Sequence, residues 1–171
     1  MSDHRISGKT VLIAGGAKNL GALLARDLAT HGARAVAIHY NSAAARGEAE
    51  ATLDAIQAAG AQGFAFQADL TTAGAVARLF DDAKAAMGSI DIAVNTVGKV
   101  LKKPMAEVSE AEFDKVYDVN MKSIYWSAVH GVPAMQQAGG GSFINIASTA
   151  GVRPRPGLTW YNGSKAAVIV T

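Results

Sequence analysis

The sequence predicts an α/β protein with a doubly wound parallel sheet that is covered by helices on both faces. Short apolar runs alternate with longer segments whose apolar residues recur at helical spacing, which is the pattern of strands joined by crossover helices. Half of the 171 residues are hydrophobic and few are aromatic, so we expect small aliphatic side chains between sheet and helices. No linker or low-complexity tract interrupts the alternation, which predicts a single domain over residues 1–171.

Three strand and helix pairs make up the first half of the chain. We predict strands at Val11–Ala14, Ala35–Tyr40 and Gly63–Gln67, and helices at Leu20–Thr30, Ala43–Ala59 and Ala73–Met87. Gly32 and Gly60 follow the first two helices, and glycine just after a helix commonly ends it.

The second half predicts two more strands, Ile90–Asn95 and Ser142–Ala147, with one long helix from about Glu110 to Gln137 between them. Ser109 and Glu112 have the spacing of a capping box at the start of that helix. Pro133 is expected to bend the helix or to mark its final turn. A last helix is predicted to start near Thr159.

A glycine-rich turn joins the first strand to the first helix. Gly15, Gly16 and Gly21 would allow a sharp turn and the close approach of a pyrophosphate to amides at a helix N-terminus. Asn19 stands where a G-x-x-x-G-x-G motif has its middle glycine, and Asn tolerates a left-handed backbone better than other side chains. A turn that serves packing alone is the alternative.

Tyr161 and Lys165 stand four residues apart in Y-N-G-S-K. Residues at this spacing share a helix face, and a fixed cation close to a phenol favours the phenolate. Ser148, thirteen residues before Tyr161, supplies a hydroxyl that can hold a carbonyl oxygen if the fold brings it across. The alternative is a solvated tyrosine and lysine without a catalytic role.

Taken in order, these motifs resemble those of the short-chain dehydrogenase/reductase family. Val11 to Gly21 is similar to its coenzyme glycine motif, and the A-D-L that contains Asp69 is similar to its adenine-contacting segment. Ile90 to Gly98 resembles its fourth-strand motif, with Thr96 and Val97 in place of the usual Asn-Ala. Asn120 resembles the asparagine that joins the active site by kinking a helix, and I-N-I-A-S, ending at Ser148, resembles the strand that delivers the serine.

The resemblance implies a Rossmann-type sheet with strand order 3-2-1-4-5. Members of this family commonly reach about 250 residues, the size of one α/β domain, whereas this chain ends at Thr171. We therefore expect a C-terminally incomplete chain that lacks the last strands of the family. A full-length form is expected to be a homodimer or homotetramer.

The implied function is reversible reduction of a small-molecule carbonyl to an alcohol, with the substrate itself left open. Tyr161 would donate the proton, with Ser148, Lys165 and Asn120 as the other catalytic residues. The implied cofactor-binding residues are Gly15, Lys18, Asn19, Leu20, Gly21, Tyr40, Asn41, Ser42, Asp69, Leu70, Asn95, Gly98, Tyr161 and Lys165. Two other classes stay open: a nucleotide-binding sensor without turnover, and a scaffold subunit.

The segment after the second predicted strand favours NADP over NAD. An acid at this place accepts hydrogen bonds from the adenosine 2′-hydroxyl and repels a 2′-phosphate. His39 to Ser42 read H-Y-N-S and contain no acid, and Lys18, Asn41 and Ser42 are suited to receive a phosphate. An aspartate placed at His39 or Tyr40 would be expected to favour NAD.

Composition argues against several other classes of function. The formal net charge is +2 and no Lys/Arg stripe is present, so we expect no nucleic-acid partner. There is no long apolar span, so no membrane partner is expected. The chain has no cysteine and we assign no metal site. The N-terminus, M-S-D-H-R-I-S, lacks an apolar signal core, which predicts a cytoplasmic protein.

Overall fold

The structure, a computed structural model, describes residues 5–171 and contains a five-stranded parallel sheet. Residues 1–4 of the N-terminal segment considered above lie outside the described residues. The strands are β1 Thr10–Ala14, β2 Ala35–Tyr40, β3 Gln62–Gln67, β4 Ile92–Asn95 and β5 Ser142–Asn145. Their order is β3-β2-β1-β4-β5, which confirms the predicted topology.

Six α-helices connect and cover these strands. They are α1 Asn19–Thr30, α2 Arg46–Ala58, α3 Ala73–Met87, α4 Glu110–Tyr117, α5 Ser123–Gln137 and α6 Thr159–Val170. Short 3-10 turns lie at Ala43–Ala45, Met105–Glu107 and Thr149–Gly151, and a π-helical turn lies at Asp118–Lys122. Within residues 5–171, no helix has both the length and the apolar character needed to cross a membrane.

Two hydrophobic cores lie on opposite faces of the sheet, because successive side chains of a strand alternate between faces. Leu12 of β1 belongs to the core that includes Phe80 of α3 and Met135 of α5. Ile13 belongs to the other core, together with residues of α1 and α2 such as Ile56. Each fully buried aliphatic side chain stabilises the fold by roughly 1.5–3 kcal/mol. The two cores fix the strand ends that form the site.

Several local signals of the sequence are confirmed. Gly32 and Gly60 follow α1 and α2 with φ of +87° and +89°, the left-handed conformation in which glycine ends a helix. The capping box of α4 is present, since Ser109 Oγ accepts from Glu112 N at 3.3 Å and Glu112 Oε2 accepts from Ser109 N at 2.9 Å. Pro133 lies inside α5, which continues to Gln137.

The prediction of one continuous helix from Glu110 to Gln137 is wrong. The π-helical turn Asp118–Lys122 separates α4 from α5. Such a turn admits one extra residue between two regular helical segments, and periodicity on either side does not reveal it. Its buried member is Asn120, whose side chain is held by tertiary hydrogen bonds.

Some predicted boundaries also differ. β4 begins at Ile92 rather than Ile90, and β5 ends at Asn145 rather than Ala147, because β4 and β5 pair only over these residues. The predicted helix Ala43–Ala59 begins with a 3-10 turn and becomes α-helical at Arg46. Strand ends depend on where a neighbour pairs, which local composition does not specify.

Candidate functional site

A cleft opens at the carboxyl ends of the strands, where the strand order reverses. β1 lies between β2 and β4, and the helices that follow these strands leave the sheet on opposite sides. In doubly wound sheets this crevice is the place where ligands bind. The predicted cofactor residues that line it are Gly15, Lys18, Asn19, Leu20, Gly21, Tyr40, Asn41, Ser42, Asp69, Leu70 and Gly98.

The glycine turn after β1 has the shape of an anion cradle. Gly15 has φ of +81°, and Asn19, with φ of +50°, is the one non-glycine residue with positive φ among residues 5–171. A Cβ on Gly21 would overlap the carbonyl of Gly15, so the turn packs backbone against backbone. No side chain caps the N-terminus of α1. Its first amides are therefore suited to hold a pyrophosphate.

Two side chains hold this turn from opposite sides. Thr96 Oγ1 donates to the carbonyl oxygen of Ala14 at 2.8 Å and lies 3.2 Å from that of Gly15. The threonine that replaces the family's asparagine thus supports the turn directly. On the other side, Gly15 N donates to His39 Nδ1 at 3.1 Å. Sequence reasoning assigned neither of these supports.

The residues after β2 and β3 form the far end of the cleft. Tyr40, Asn41 and Ser42 follow one another there without an acid, and the Ser42 hydroxyl makes no cap hydrogen bond. Lys18 Nζ lies 3.2 Å from Glu48 Oε2 in an exposed ion pair. Hydrogen bonds from the backbone and hydroxyl of Thr71 lower the pKa of Asp69 below its ordinary value, so this residue is a carboxylate at neutral pH.

Lysines contribute most of the charge of the cleft lining. Lys115 of α4 lines the cleft together with Lys18 and Lys99, against the single carboxylate of Asp69. Lys115 was not found from the sequence, because its place at the cleft depends on how α4 packs over the sheet. An excess of positive charge favours a phosphorylated ligand.

Tyr161 and Lys165 lie on α6, beside the end of β5. Lys165 is only 4% exposed, its Nζ donates to the carbonyl of Ile146 at 2.7 Å, and burial lowers its pKa. Ser148 follows Ile146 by two residues, and its Oγ accepts from Ala150 N at 3.1 Å. Accepting this bond leaves the hydroxyl hydrogen of Ser148 available to a ligand.

Close packing at a glycine brings the serine segment against α6. A Cβ on Gly151, in the 3-10 turn after Ser148, would lie 2.7 Å from the backbone nitrogen of Ala166. Only a residue without a side chain permits this approach. The sequence shows the glycine but not the contact, which forms between distant segments.

Asn120 ties the end of β4 to α6. Its Oδ1 accepts from Lys99 N at 2.7 Å, and its Nδ2 donates to Lys99 O at 3.1 Å and to Ser164 Oγ at 2.9 Å. Ser164 in turn donates to the carbonyl of Tyr161 at 2.8 Å. Asn120 is fully buried, so these bonds form away from water. Ser164 thus links Asn120 to the backbone at Tyr161, a contact that the sequence did not predict although Ser164 stands inside the Y-N-G-S-K run.

An aromatic cluster gives α6 a second attachment. The rings of Phe113 and Tyr117 on α4 have centroids 4.6 Å apart, and Phe113 meets Trp160 of α6 edge to face at 5.1 Å. Aromatic pairs in these geometries stabilise contacts by ~0.5–1.5 kcal/mol beyond their buried area. The helix that carries Tyr161 is therefore fixed to α4 as well as to the π-helical turn.

Three of the predicted cofactor residues do not line the cleft. Asn95 lies behind it, where its Oδ1 accepts from Val97 N at 2.9 Å and its Nδ2 lies 3.4 Å from Ser123 Oγ. Its observed place is that of a support for the loop after β4. Lys165 lies next to the cleft, with its Nζ 3.4 Å from the point where Gly98 would carry a Cβ, and Tyr161 stands one helical turn before it on α6. Within residues 5–171, no cluster of three His, Asp or Glu side chains is placed to hold a metal ion.

Comparison with known proteins finds the same architecture. The model of the short chain dehydrogenase family matches residues 9–170. A 4-formylbenzenesulfonate dehydrogenase of Comamonas testosteroni is 40% identical over 165 residues, which cover 96% of this chain and 64% of that protein. The crystal structure of a dehydrogenase from Burkholderia cenocepacia with bound NADP is 53% identical, with a TM-score of 0.87 over 98% of this chain and 62% of that one.

A third similar protein, NAD⁺-bound xylitol dehydrogenase, is 26% identical and has a TM-score of 0.91 over 97% of this chain and 63% of that one. The chain thus spans less than two thirds of the length of each of these three proteins. Within that span, the family match includes the glycine turn, the buried asparagine of the π-helical turn, and the α6 helix that carries tyrosine and lysine. On this match and this geometry, the chain belongs to the short-chain dehydrogenase family.

Proposed function

We propose that the protein is an NADP-dependent oxidoreductase that reversibly reduces a carbonyl to an alcohol, with Tyr161 as the proton donor. One observation carries the proposal most directly. The end of β5, the π-helical turn and α6 meet beside the dinucleotide cleft, and Lys165 and Asn120 are each held there by buried hydrogen bonds. These contacts support a site in which Ser148, Tyr161, Lys165 and Asn120 act together.

The roles of these residues follow from their chemistry. A bound nicotinamide supplies or accepts the hydride. Ser148, whose hydroxyl hydrogen is free, orients the carbonyl oxygen, and Tyr161 donates a proton to that oxygen during reduction and takes it back during oxidation. Lys165 places a positive charge one helical turn from Tyr161. Both amide hydrogens of Asn120 are used by Lys99 and Ser164, so its side chain holds α6 in place and has no hydrogen left to donate to a proton-relay water.

Four observations support NADP over NAD. No acid follows β2 in the cleft, and three lysines face a single carboxylate in the lining. The hydroxyl of Ser42 makes no cap hydrogen bond that a phosphate would have to displace. The neighbour from Burkholderia cenocepacia holds NADP, whereas the xylitol dehydrogenase holds NAD⁺. The positive charge of this cleft makes the NADP-bound neighbour the better guide to the cofactor of this chain.

For the substrate, we propose a small carbonyl compound that carries an anionic group. The loop before α6 exposes Arg153 and Arg155, and it is joined to the loop after β4 by the bond from Lys103 N to Gly157 O at 2.8 Å. Neither arginine forms an ion pair within residues 5–171. The relative from Comamonas testosteroni is named for an aromatic aldehyde that carries a sulfonate, which is the same kind of ligand.

Helix α5 supports a proposal on assembly. Tyr125 and Val129 lie one turn apart on it and are 56% and 43% exposed, which leaves an apolar stripe open to a second copy. We propose self-association as a homodimer or homotetramer through this helix. Sedimentation should show dissociation in a Tyr125→Glu, Val129→Glu variant. Leu23→Glu, at an exposed apolar residue of α1, should leave the assembly unchanged, and equal behaviour of both variants would refute the assignment.

The catalytic proposal is tested by steady-state reduction of aromatic aldehydes with NADPH. Tyr161→Phe should abolish measurable turnover and leave the Kd of NADPH nearly unchanged, and Ser148→Ala should lower kcat by roughly two to four orders of magnitude. Tyr117→Phe is the matched control, because it removes a phenol from α4 but keeps the ring packing. A Tyr161→Phe protein with more than about a tenth of the wild-type rate would refute the mechanism.

The same assay tests the substrate class. Replacing Arg153 and Arg155 by glutamine should raise KM for a sulfonated benzaldehyde severalfold and leave KM for uncharged benzaldehyde unchanged. An equal effect on both aldehydes would mean that the arginines support the loop rather than the substrate charge.

A further inference from the structure

His39 is a buried bridge between three strand ends. It is the next-to-last residue of β2 and is 2% exposed. Its Nδ1 accepts from Gly15 N at 3.1 Å in the turn after β1, and its Nε2 lies 2.8 Å from the carbonyl oxygen of Ala68 after β3. Its own carbonyl accepts from Gly16 N at 3.0 Å. One residue therefore engages both amides of the Gly15–Gly16 pair.

These partners define the protonation of the ring. A backbone amide can only donate a hydrogen bond and a backbone carbonyl can only accept one. Nδ1 must therefore carry the lone pair and Nε2 the proton, so the ring is neutral and in a single tautomer. Burial is the main cause that lowers the pKa of His39 below its ordinary value, against opposing effects of the Ala68 hydrogen bond and of Asp69.

We propose that neutral His39 is a positioning residue for the dinucleotide, because its Nδ1 lone pair fixes the direction of the Gly15 amide and with it the shape of the glycine turn. The inference rests on the proposed dinucleotide site and adds a residue to it. Because the bond to Gly15 shapes the turn that would hold the pyrophosphate, which NADH and NADPH share, its loss should have the same effect on both. Gly15 and His39 both line the cleft, so the bond lies where the ligand would be.

A second consequence concerns pH. Protonation puts a hydrogen on Nδ1, which then faces the Gly15 amide donor to donor and breaks the bond. Asp69, beside Ala68, is the charged group that acts on the ring. The other neighbouring elements present Lys18, which pairs with Glu48, and the uncharged Thr96. The affinity for dinucleotides should therefore fall as the pH is lowered from about 6.5, the ordinary pKa of histidine. The fall should centre on the pKa of His39, which burial holds below that ordinary value.

The first test replaces His39 and measures Kd for both dinucleotides by fluorescence at pH 7.5. His39→Leu fills the space but removes both side-chain hydrogen bonds, to Gly15 N and to Ala68 O. It should weaken NADH and NADPH equally, by about tenfold or more, tenfold being the factor expected for one lost hydrogen bond. His39→Asn places an amide oxygen near the position of Nδ1 and should bind within about threefold of wild type. A His39→Leu protein with wild-type affinity, or one that loses only NADPH, would overturn the proposal.

The second test does not depend on the folding of a variant. Long-range ¹H–¹⁵N correlation spectra of the wild-type protein should show His39 as the Nε2–H tautomer at pH 7.5, and the Nδ1–H tautomer would overturn the proposal. The Kd for NADH should then rise as the pH falls, in step with the protonation of His39 that the same spectra follow. NADH is the cleaner probe, because a 2′-phosphate itself titrates near pH ~6.

Controls separate this inference from the proposed function. The pH dependence should persist in His31→Gln, which changes an exposed histidine of the α1 end, and should be absent in His39→Asn. A constant Kd through the titration of His39 would overturn the inference. Wild-type protein that binds neither dinucleotide at any pH would overturn the proposed function as well, whereas normal wild-type binding with unaffected variants overturns only the role of His39.

Discussion

Replacing Asn120 by alanine is expected to loosen the attachment of α6 to the rest of the protein. The substitution removes the side chain that joins Lys99 to Ser164 and leaves the amide and the carbonyl of Lys99 without these partners. Because Asn120 is fully buried, water cannot take its place without entering the packed interface between the π-helical turn and α6. Ser164 would keep its bond to the carbonyl of Tyr161.

The size of the effect follows from the bonds that are lost. Three hydrogen bonds disappear, and each buried hydrogen bond contributes ~1 kcal/mol net to the free energy of unfolding. The expected loss is therefore about 3 kcal/mol, a large share of the roughly 5–15 kcal/mol of a typical domain. At about 2–4 °C per kcal/mol for a protein of this size, Tm should fall by roughly 6–12 °C.

Urea unfolding followed by circular dichroism measures this loss, and Asn145→Ala provides the matched control. Asn145, the last residue of β5, is a half-buried asparagine whose Oδ1 is buried without a hydrogen-bond partner within residues 5–171. Removing it should change the free energy of unfolding by less than ~1 kcal/mol. Equal losses in the two variants, or a loss below ~1 kcal/mol in Asn120→Ala, would refute the reasoning from the hydrogen-bond network.

Three further predictions address the cofactor, the glycine turn and the helix cap. Tyr40→Asp should shift the ratio of the NADPH and NADH dissociation constants by about tenfold or more in favour of NADH, since a carboxylate repels a 2′-phosphate. Fluorescence titration measures this ratio. Tighter binding of NADH than of NADPH by the wild-type protein would contradict the NADP assignment. Gly21→Ala should lower the free energy of unfolding by ~1–3 kcal/mol and weaken the binding of both dinucleotides, because its Cβ would overlap the Gly15 carbonyl. Thermal melts measure the first effect and fluorescence titration the second, and a variant with wild-type Tm and affinity would contradict the prediction. Hydrogen bonding to Lys103 and to the capping serine lowers the pKa of Glu112 to about 2, so its stabilising effect is present above pH 4.5 and is lost as the pH falls through about 2. The difference in Tm between wild type and Glu112→Gln should shrink over that range, and a difference that does not change with pH would speak against the assignment.

The structure also corrects one expectation about cofactor engineering. His39 and Tyr40 were both expected to accept an aspartate that favours NAD. His39 is buried and holds Gly15 through its ring, so a carboxylate there would be desolvated and would lose the bond to Ala68. Tyr40, the last residue of β2, also lines the cleft but is only half-buried, so a carboxylate there would stay hydrated. Only the structure shows that one of these two adjacent residues is enclosed and the other is partly open to solvent.

The sequence by itself determined the five strands and the alternation of strands and helices along the chain. Apolar runs and helical periodicity predicted five strands, and the resemblance added their 3-2-1-4-5 order. The glycine turn could be predicted because its requirements are local. Its backbone is left-handed at Gly15 and Asn19, and it leaves no room for a side chain at Gly21. The capping box at Ser109 could be predicted for the same reason, since both partners lie within one helical turn.

Tertiary structure decided everything that depends on contacts between distant segments. The π-helical turn at Asn120 exists where its side chain meets Lys99 and Ser164, so helical periodicity alone could not separate α4 from α5. The bridge from His39 to Gly15 and the support from Thr96 join segments at the ends of three different strands. Local propensity fixes which backbone conformations a segment prefers, whereas the partner of a buried polar group is set by which segments the two cores bring together.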